Sequence, residues 1–376
     1  MPWKEVSLMS LRKEFVSLAL VEGCNFSRLC IRFGISRKAG YKWIKRYLVE
    51  GIEGLSDRSR RPKTSPTKTP DEVEEKVLGI RKNHPAWGGR KIAARLKAMG
   101  MKEVPAASTI TAILRRRGYI DPEESLKHQP WQRFEAEAPN DLWQMDFKGH
   151  FKVVEGRCHP LTVLDDHSRY ALCLQACLNE TGTVVQQYLK EAFRCFGLPH
   201  QILVDNGSPW GSDAEHPYTP VTVWLMRLGI VVIHSRSYHP QTLGKDERFH
   251  RTLNAEVLKY FVHIDMEVCQ KRFDKWRELY NTERPHEALD MAVPASRYRL
   301  SARTFPETLP PIEYGPDDQV RKVQDGGKIS YRNREYRLPR AFRGQRVALR
   351  PTQLDGIMDV YFCNQIIHKI NLRNPN

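Results

Sequence analysis

Between residues 140 and 300 the apolar runs of this 376-residue chain follow one order, and that order limits the possible folds more than any other feature. Runs at 142–147, 161–164 and 170–174 read as three strands of a meander. A helix follows, with Val185, Leu189, Ala192, Phe193 and Phe196 on one face; Gly197 and Pro199 end it. A strand at 201–204, a helix over 220–228 stopped by Gly229, and a strand at 230–234 come next. Helices fill 245–282. Strands that alternate with helices in this way predict an α/β layer with a sheet at its centre.

Three acidic residues sit where such a sheet would gather them. Asp146 ends the alternating run Leu142-Trp143-Gln144-Met145-Asp146-Phe147. Asp205 ends the apolar run Ile202-Leu203-Val204 and precedes the turn residues Asn206-Gly207. Glu247 opens a helix begun by Gly244-Lys245. Two carboxylates at strand ends and one on a helix can meet at one edge of a sheet and hold two divalent cations against a phosphate. A lone Asp at a strand end is weak evidence; the combination carries the reading. Helical spacing puts Glu247, Arg251 and Asn254 on one face, so that Lys245, Arg248 and Arg251 are expected to hold a phosphate backbone. The competing reading is a surface pair between Glu247 and Arg251. Asp165 and Asp166 also follow a strand and compete for a metal, but a turn role suits them better.

The net charge is +16, and the basic residues cluster, which points to a polyanionic partner. Residues 10–48 read as a helix-turn-helix. Leu11, Phe15, Leu18 and Leu20 mark a first helix, and 25–33 forms a second that Gly34 breaks. Ser36 caps a third, where Ala39, Trp43 and Tyr47 face inward and Arg37, Lys38, Lys42 and Lys45 are left outside, suited to a major groove. A plain three-helix bundle with a charged face fits equally well. Residues 56–69 form a basic linker whose Arg58, Arg60 and Arg61 can lie along phosphates. Residues 70–121 form a second helix-turn-helix, winged at 118–120. Val73, Val77 and Ile80, then Ile92 and Leu96, then Ile110, Ile113 and Leu114 make its apolar faces, and Arg90 and Lys91 are expected to touch DNA. Residues 122–138 are a second linker. The core runs from 139 to 305. Residues 310–376 carry short strand-like runs near 329–331, 336–338, 347–349 and 360–362 and read as a small, arginine-rich β-barrel open to DNA or to a partner subunit.

The eight cysteines are scattered, with no CxxC and no zinc-site spacing, and are read as reduced thiols. No segment approaches the roughly 18 apolar residues of a membrane span, and no signal peptide is evident. A cytoplasmic protein with access to a bacterial nucleoid is expected.

The core order is RNase H-like, and several motifs share one resemblance. Residues 139–147 (Pro139-Asn140-Asp141 leading into the first strand) resemble the opening of the retroviral-integrase-like catalytic core of bacterial insertion-sequence transposases. So do 163–170, Asp205-Asn206-Gly207-Ser208-Pro209-Trp210, and 238–253 above all. Tyr280-Asn281, Arg284-Pro285-His286 and Leu289 resemble the close of that core, and 84–96 the second helix-turn-helix of the same proteins. The resemblance covers residues 10–300. It implies a DDE triad of Asp146, Asp205 and Glu247, two Mg²⁺ ions per site with Mn²⁺ as a substitute, and DNA cleavage followed by strand transfer. It further implies double-stranded DNA partners, namely terminal inverted repeats and a target, and a homo-oligomer holding both ends. A non-catalytic repressor derived from a transposase is the alternative of another class; a nuclease without strand transfer is a second. Two departures stand out. The interval from Asp205 to Glu247 is longer than is common in integrases, with an insert near 211–220. Asp246 occupies an often apolar position and competes with Glu247 as a ligand; Glu247 is preferred because it forms the Glu-Arg pair before Phe249-His250.

Overall fold

The computed structural model describes residues 8–58, 69–120, 135–211, 217–235, 244–261 and 264–373. The chain divides into two compact units, Met1–Lys68 and Thr69–Asn376.

The first unit holds α1 (Leu8–Ala19), α2 (Phe26–Arg32) and α3 (Arg37–Glu50), closed by a 3-10 turn at Gly51–Leu55. Asn25 and Ser36 cap α2 and α3 by accepting from the backbone N–H groups of Arg28 and Ala39. Phe15, Val16, Leu29, Cys30, Trp43 and Leu55 form the core. The inward face of α1 differs from the expected one: Leu11 and Leu20 are 38% and 48% exposed, and Val16 is buried instead. Leu20 lies beyond the helix end. On the α1 face one residue on from Leu11, Arg12 lies with its guanidinium 4.0 Å from the Trp43 ring centre while donating to the Leu55 carbonyl. Gly40 is where the three helices meet. A Cβ there would lie 2.7 Å from Phe26 and 2.9 Å from Phe15. Gly40→Ala should therefore destabilise this unit by about 1–3 kcal/mol through overpacking, despite the better helix propensity of alanine. A thermal melt of the intact chain that shows unchanged or raised stability would contradict this close approach.

The second unit begins with α4 (Asp71–Asn83), α5 (Gly89–Ala98) and α6 (Ala107–Arg116), around Val77, Trp87, Ile92, Leu96, Ile110, Ile113 and Leu114. The buried Glu74 pairs with Arg116 and Arg117. Residues 118–120 form no strand. The Tyr119 carbonyl accepts from Arg81, and its N–H donates to Leu114, so these residues close α6 rather than open a wing. The rest of any wing, and most of the expected linker, lie outside the described residues. The end of that linker is not free: Glu135 pairs with Arg169, and the Ala136 N–H donates to Asp166.

The central sheet comprises β1 (Leu142–Phe147), β2 (Phe151–Val153), β3 (Gly156–Asp165), β4 (Ala171–Cys177), β5 (Gln201–Val204) and β6 (Val231–His234). Its order is β4-β3-β1-β5-β6, with β2 paired to the start of β3. β1 runs antiparallel to β3 and parallel to β5; β5 and β6 are parallel. This is the RNase H-like order expected, plus one short strand, β2, that turns the start of the meander into a hairpin. Alternation along β1 sends Trp143 and Met145 to a core shared with α7 (Gly182–Phe196) and α8 (Pro220–Arg227). Gln144 and Asp146 are left on the opposite face, covered by α9 (Gly244–Glu256) and α10 (Met266–Thr282), whose Phe249, Leu253, Phe273 and Trp276 fill the second core.

The tail is β-rich. β7 (Gln319–Lys322), β10 (Arg346–Pro351), β11 (Ile357–Phe362) and β12 (Gln365–Asn371) form a sheet of order β12-β11-β10-β7, and β8 (Lys328–Tyr331) pairs with β9 (Arg334–Arg337). The small barrel is thus a four-stranded sheet and a hairpin wrapped about one core. That core also takes in Val223 and Met226 of α8.

Candidate active site

β1 and β5 are parallel neighbours with Gln144 opposite Leu203. Two residues further along each strand, that register sets Asp146 beside Asp205 at the same sheet edge. The Asp205 loop is braced locally: its carboxylate accepts from the Gly207 N–H at 3.1 Å, its carbonyl lies 3.0 Å from His234 Nδ1, and Asn206 donates to the Ser235 carbonyl. Both carboxyls are raised above the usual carboxylate range. For Asp146 burial is the largest cause and the charge of Asp205 the next, with Glu180 and Glu247 adding, and its pKa reaches about 7. Asp205 is raised chiefly by burial, against the Gly207 N–H and His234. Two neighbouring carboxylates that repel one another in the absence of a cation are a donor set suited to a hard divalent ion.

The first turn of α9 presents two acids to opposite environments. Asp246 is fully buried and lies on the face of Phe249 and Leu253. Glu247 is exposed on the outer face with Arg251 and Asn254. Glu247 adds to the negative potential at Asp146 but stands off from the pair: among the described residues, no three His, Cys, Asp or Glu side chains converge closely enough to hold a metal ion. Residues 236–243, which lead into α9, lie outside the described residues. A Mg²⁺ site commonly takes only one or two protein carboxylates, with water and substrate phosphate completing it, so the Asp146–Asp205 pair is sufficient to fit.

Neither oxygen of Asp246 has a hydrogen-bond partner. Burial first, then the charges of Asp146 and Asp166, hold its carboxyl well above the usual range. A pKa raised on folding contributes stability below the unfolded value of about 3.9 and loses it as pH rises. Asp246→Ala should therefore be more stable than the native chain at neutral pH, by on the order of 1–3 kcal/mol, with the gap closing towards pH 4. Denaturant melts at pH 4, 6 and 8 test this, and a gap that widens at low pH would refute it.

The structure redistributes the expected DNA contacts. Arg37, Lys38 and Lys42 are exposed on α3, and Arg90, Arg248 and Arg251 are exposed in the second unit. Arg58 is exposed but pairs with Glu50. Arg60 and Arg61 lie outside the described residues. Two lysines depart from expectation. Lys91 is half-buried, and desolvation first, then Arg284, lowers its pKa to about 8. It faces Arg284 and Glu256 rather than solvent, because α4–α6 pack against the end of α10 through Leu279 and an Arg95–Glu283 pair. Lys245 is only 16% exposed and is paired with the buried Asp166. Asp165 and Asp166 are spent on structure: Asp165 accepts from the Asn140 and Ser168 N–H groups and the Ser168 hydroxyl, Asp166 from Ala136 and Gln144.

Two residues near the site were not singled out from sequence. His250 packs its Nε2 2.8 Å from the Thr162 hydroxyl and its Nδ1 4.0 Å from Asp146, and burial lowers its pKa to about 3, so it is uncharged at neutral pH. Its spacing of four from Asp246 was the available signal. Glu180 lies 2.7 Å from His159 Nδ1 and adds negative charge at both aspartates; no motif marks it.

Family profiles match the chain in five stretches. The integrase core domain matches residues 136–240 in one form and 228–294 in another, and the IS481 family transposase C-terminal domain matches 318–376. A helix-turn-helix domain matches 11–63, and a homeodomain-like domain matches 39–114. An uncharacterized 31.7 kDa protein of insertion element IS407 from Burkholderia multivorans is 26% identical over 44% of this chain and 58% of its own length. An uncharacterized 39.2 kDa protein of insertion element IS476 from Xanthomonas euvesicatoria is 27% identical over 45% and 47%. The chain spans about half the length of the curated relatives it matches. A chain of the simian T-cell lymphotropic virus intasome aligns over 79% of this chain and 96% of its own at 12% identity, with a TM-score of 0.39, too distant a likeness to argue from. No helix among the described residues is long and apolar enough to cross a membrane. The chain thus carries helix-turn-helix segments, an integrase core domain and an IS481-type transposase C-terminal domain, and in these it is similar to bacterial insertion-sequence transposases with an integrase-like core.

Proposed function

We propose that this chain binds the terminal inverted repeats of an insertion sequence and catalyses DNA cleavage and strand transfer, with Asp146, Asp205 and Glu247 as the catalytic carboxylates. The observation that carries this reading is the parallel β1–β5 register, which sets Asp146 beside Asp205 on the sheet edge that α9 overlooks. When bound there, two Mg²⁺ ions would activate the attacking oxygen, first of water and then of the DNA 3′-OH, and neutralise the leaving oxygen. The residues of the chain supply the rest. Asp146 and Asp205 fix the donor oxygens. Uncharged His250, held on Thr162, braces Asp146 without adding a positive charge that would compete with a cation. Arg248 and Arg251 offer phosphate contacts on the exposed face of α9, and Arg37, Lys38 and Lys42 offer a basic helix to the repeat. Joining two ends to one target calls for at least two copies of the chain, and the reaction belongs in the cytoplasm beside the nucleoid.

The test is strand transfer in vitro. Repeat-end duplexes with a free 3′-OH, Mg²⁺ and supercoiled plasmid should yield joined product. Tight binding of the ends with no joining in Mg²⁺ or Mn²⁺ would leave a repressor as the better reading. A pH dependence follows as well. The Asp146 carboxyl, at about 7, must lose its proton before it can serve as a ligand. Mg²⁺ binding should therefore release protons, and half-saturation should fall by about tenfold per pH unit up to pH 7 and level off above it. Calorimetry in two buffers of different ionisation enthalpy reads the proton release directly, and none at pH 6 would remove Asp146 from the ligand set.

A further inference from the structure

Glu247 needs a fixed position relative to Asp146, yet it stands exposed in the first turn of its helix. One side chain of the turn is anchored to the core. Lys245 Nζ reaches across to the fully buried carboxylate of Asp166 and lies 3.3 Å from its carbonyl oxygen as well. Asp166 is itself held on two sides. The Gln144 amide donates to it at 2.7 Å, and the Ala136 N–H donates at 2.7 Å. Gln144 lies two residues before Asp146 on the same face of β1. A continuous hydrogen-bonded path therefore runs from β1, next to Asp146, through Asp166 to α9, next to Glu247. Four residues past Asp246, His250 ties the following turn of α9 to Thr162 on β3.

We infer that Lys245 and Asp166 form a positioning clamp that fixes the first turn of α9, and with it the backbone of Glu247, relative to β1 and the Asp146–Asp205 pair, and that Lys245 is not a DNA contact. The inference rests on the proposed catalytic role of the triad. Its geometry distinguishes the two roles of a lysine here. A phosphate contact needs an accessible ammonium; this one is largely covered and engaged by a fully buried carboxylate that also accepts from Gln144 and Ala136. Loss of such an anchor leaves the helix in place, because Phe249 and Leu253 still fill the core, but frees its first turn.

The variants Lys245→Gln, Lys245→Arg and Asp166→Asn in the full-length chain test the clamp. Lys245→Gln should raise the Mg²⁺ concentration for half-maximal strand transfer by about tenfold or more. Its affinity for repeat DNA, and the salt dependence of that affinity, should not change. Amide exchange over 245–250 should quicken, and Lys245→Arg, which keeps the charge, should recover part of the loss. Asp166→Asn should reproduce the Lys245→Gln defect, and the double variant should be no worse than either alone. The opposite pattern, weaker DNA binding with a salt slope lowered by about 1 and an unchanged Mg²⁺ requirement, would make Lys245 a phosphate contact and overturn the clamp. Should the native chain join no DNA in any metal, the catalytic reading fails on its own. Amide exchange then decides the clamp: faster exchange in Lys245→Gln supports it, and unchanged exchange refutes it.

Discussion

Asp205→Asn should reduce strand transfer by at least about 10³-fold while leaving the binding of repeat ends intact, and Asp146→Asn should do the same. The size follows from the place of the two residues. Changes to partners one step removed from a metal already cost about 10–100-fold, so loss of a direct ligand, the role proposed for both, should cost more, about 4 kcal/mol or beyond in the barrier. The substitution is nearly isosteric. The Asn206–Ser235 and His234 contacts that brace the loop do not involve the Asp205 carboxylate and should persist. Folding should not suffer, because both native carboxyls are raised by burial and Asp146 also by its neighbour's charge. A melt at or above the native temperature, together with lost joining, separates catalysis from structure. Glu247→Gln should show the same loss. Asp246→Ala should keep activity, because its side chain faces the core of α9 rather than the open edge. If Asp246→Ala abolishes joining in a stable protein while Glu247→Gln joins normally, the third carboxylate has been assigned to the wrong residue.

The residues that were legible in sequence share a property: their environment is set by local pattern. Alternation over 142–147 and the Asn206-Gly207 turn place Asp146 and Asp205 at strand ends, and the sheet order does the rest. The outer face of α9 was equally readable, since Glu247, Arg251 and Asn254 recur at helical spacing and all three are exposed. Lys245 and Lys91 are more covered than their sequence surroundings suggest, because a lysine in an early helical turn looks solvated until its partner is known. Asp166 is 79 residues from Lys245, and the carboxylate that Lys91 faces, Glu256, lies on another helix. β2 escaped notice because a three-residue strand, two half-buried residues flanking the exposed Lys152, is too short to carry a periodic signal. The tail was read as a separate barrel, yet the sequence held a sign that it is not. Val221, Thr222, Val223, Trp224, Leu225 and Met226 leave α8 with no polar face, and every one of them is buried. A helix apolar all round must be covered on both sides.

That double cover predicts the largest effect on stability. One side of α8 packs on the sheet through Val221, Trp224 and Leu225; the other lies in the tail core through Val223 and Met226. Phe342 sits at the centre of the second contact, fully buried, with ring centres 4.9 Å from Tyr218 and 5.0 Å from Phe362. Phe342→Ala should cost about 3–5 kcal/mol. The loss should appear in the core as well as in the tail. Gln365 of β12 donates to the Ile230 carbonyl at the start of β6, and β6 ends at His234, whose ring bonds to the backbone of Asp205. Loosening the tail therefore loosens the strand that steadies Asp205. Strand transfer should fall in step with the fraction of folded protein, and removal of residues 310–376 should leave α8 uncovered and the remaining core prone to aggregation. Two melting transitions in Phe342→Ala, with the tail unfolding early and the core at its native temperature, would show that the two share no core, as would a soluble truncated chain that still joins DNA. A single transition lowered throughout is the expected result, because α8 has no side that belongs to one domain alone.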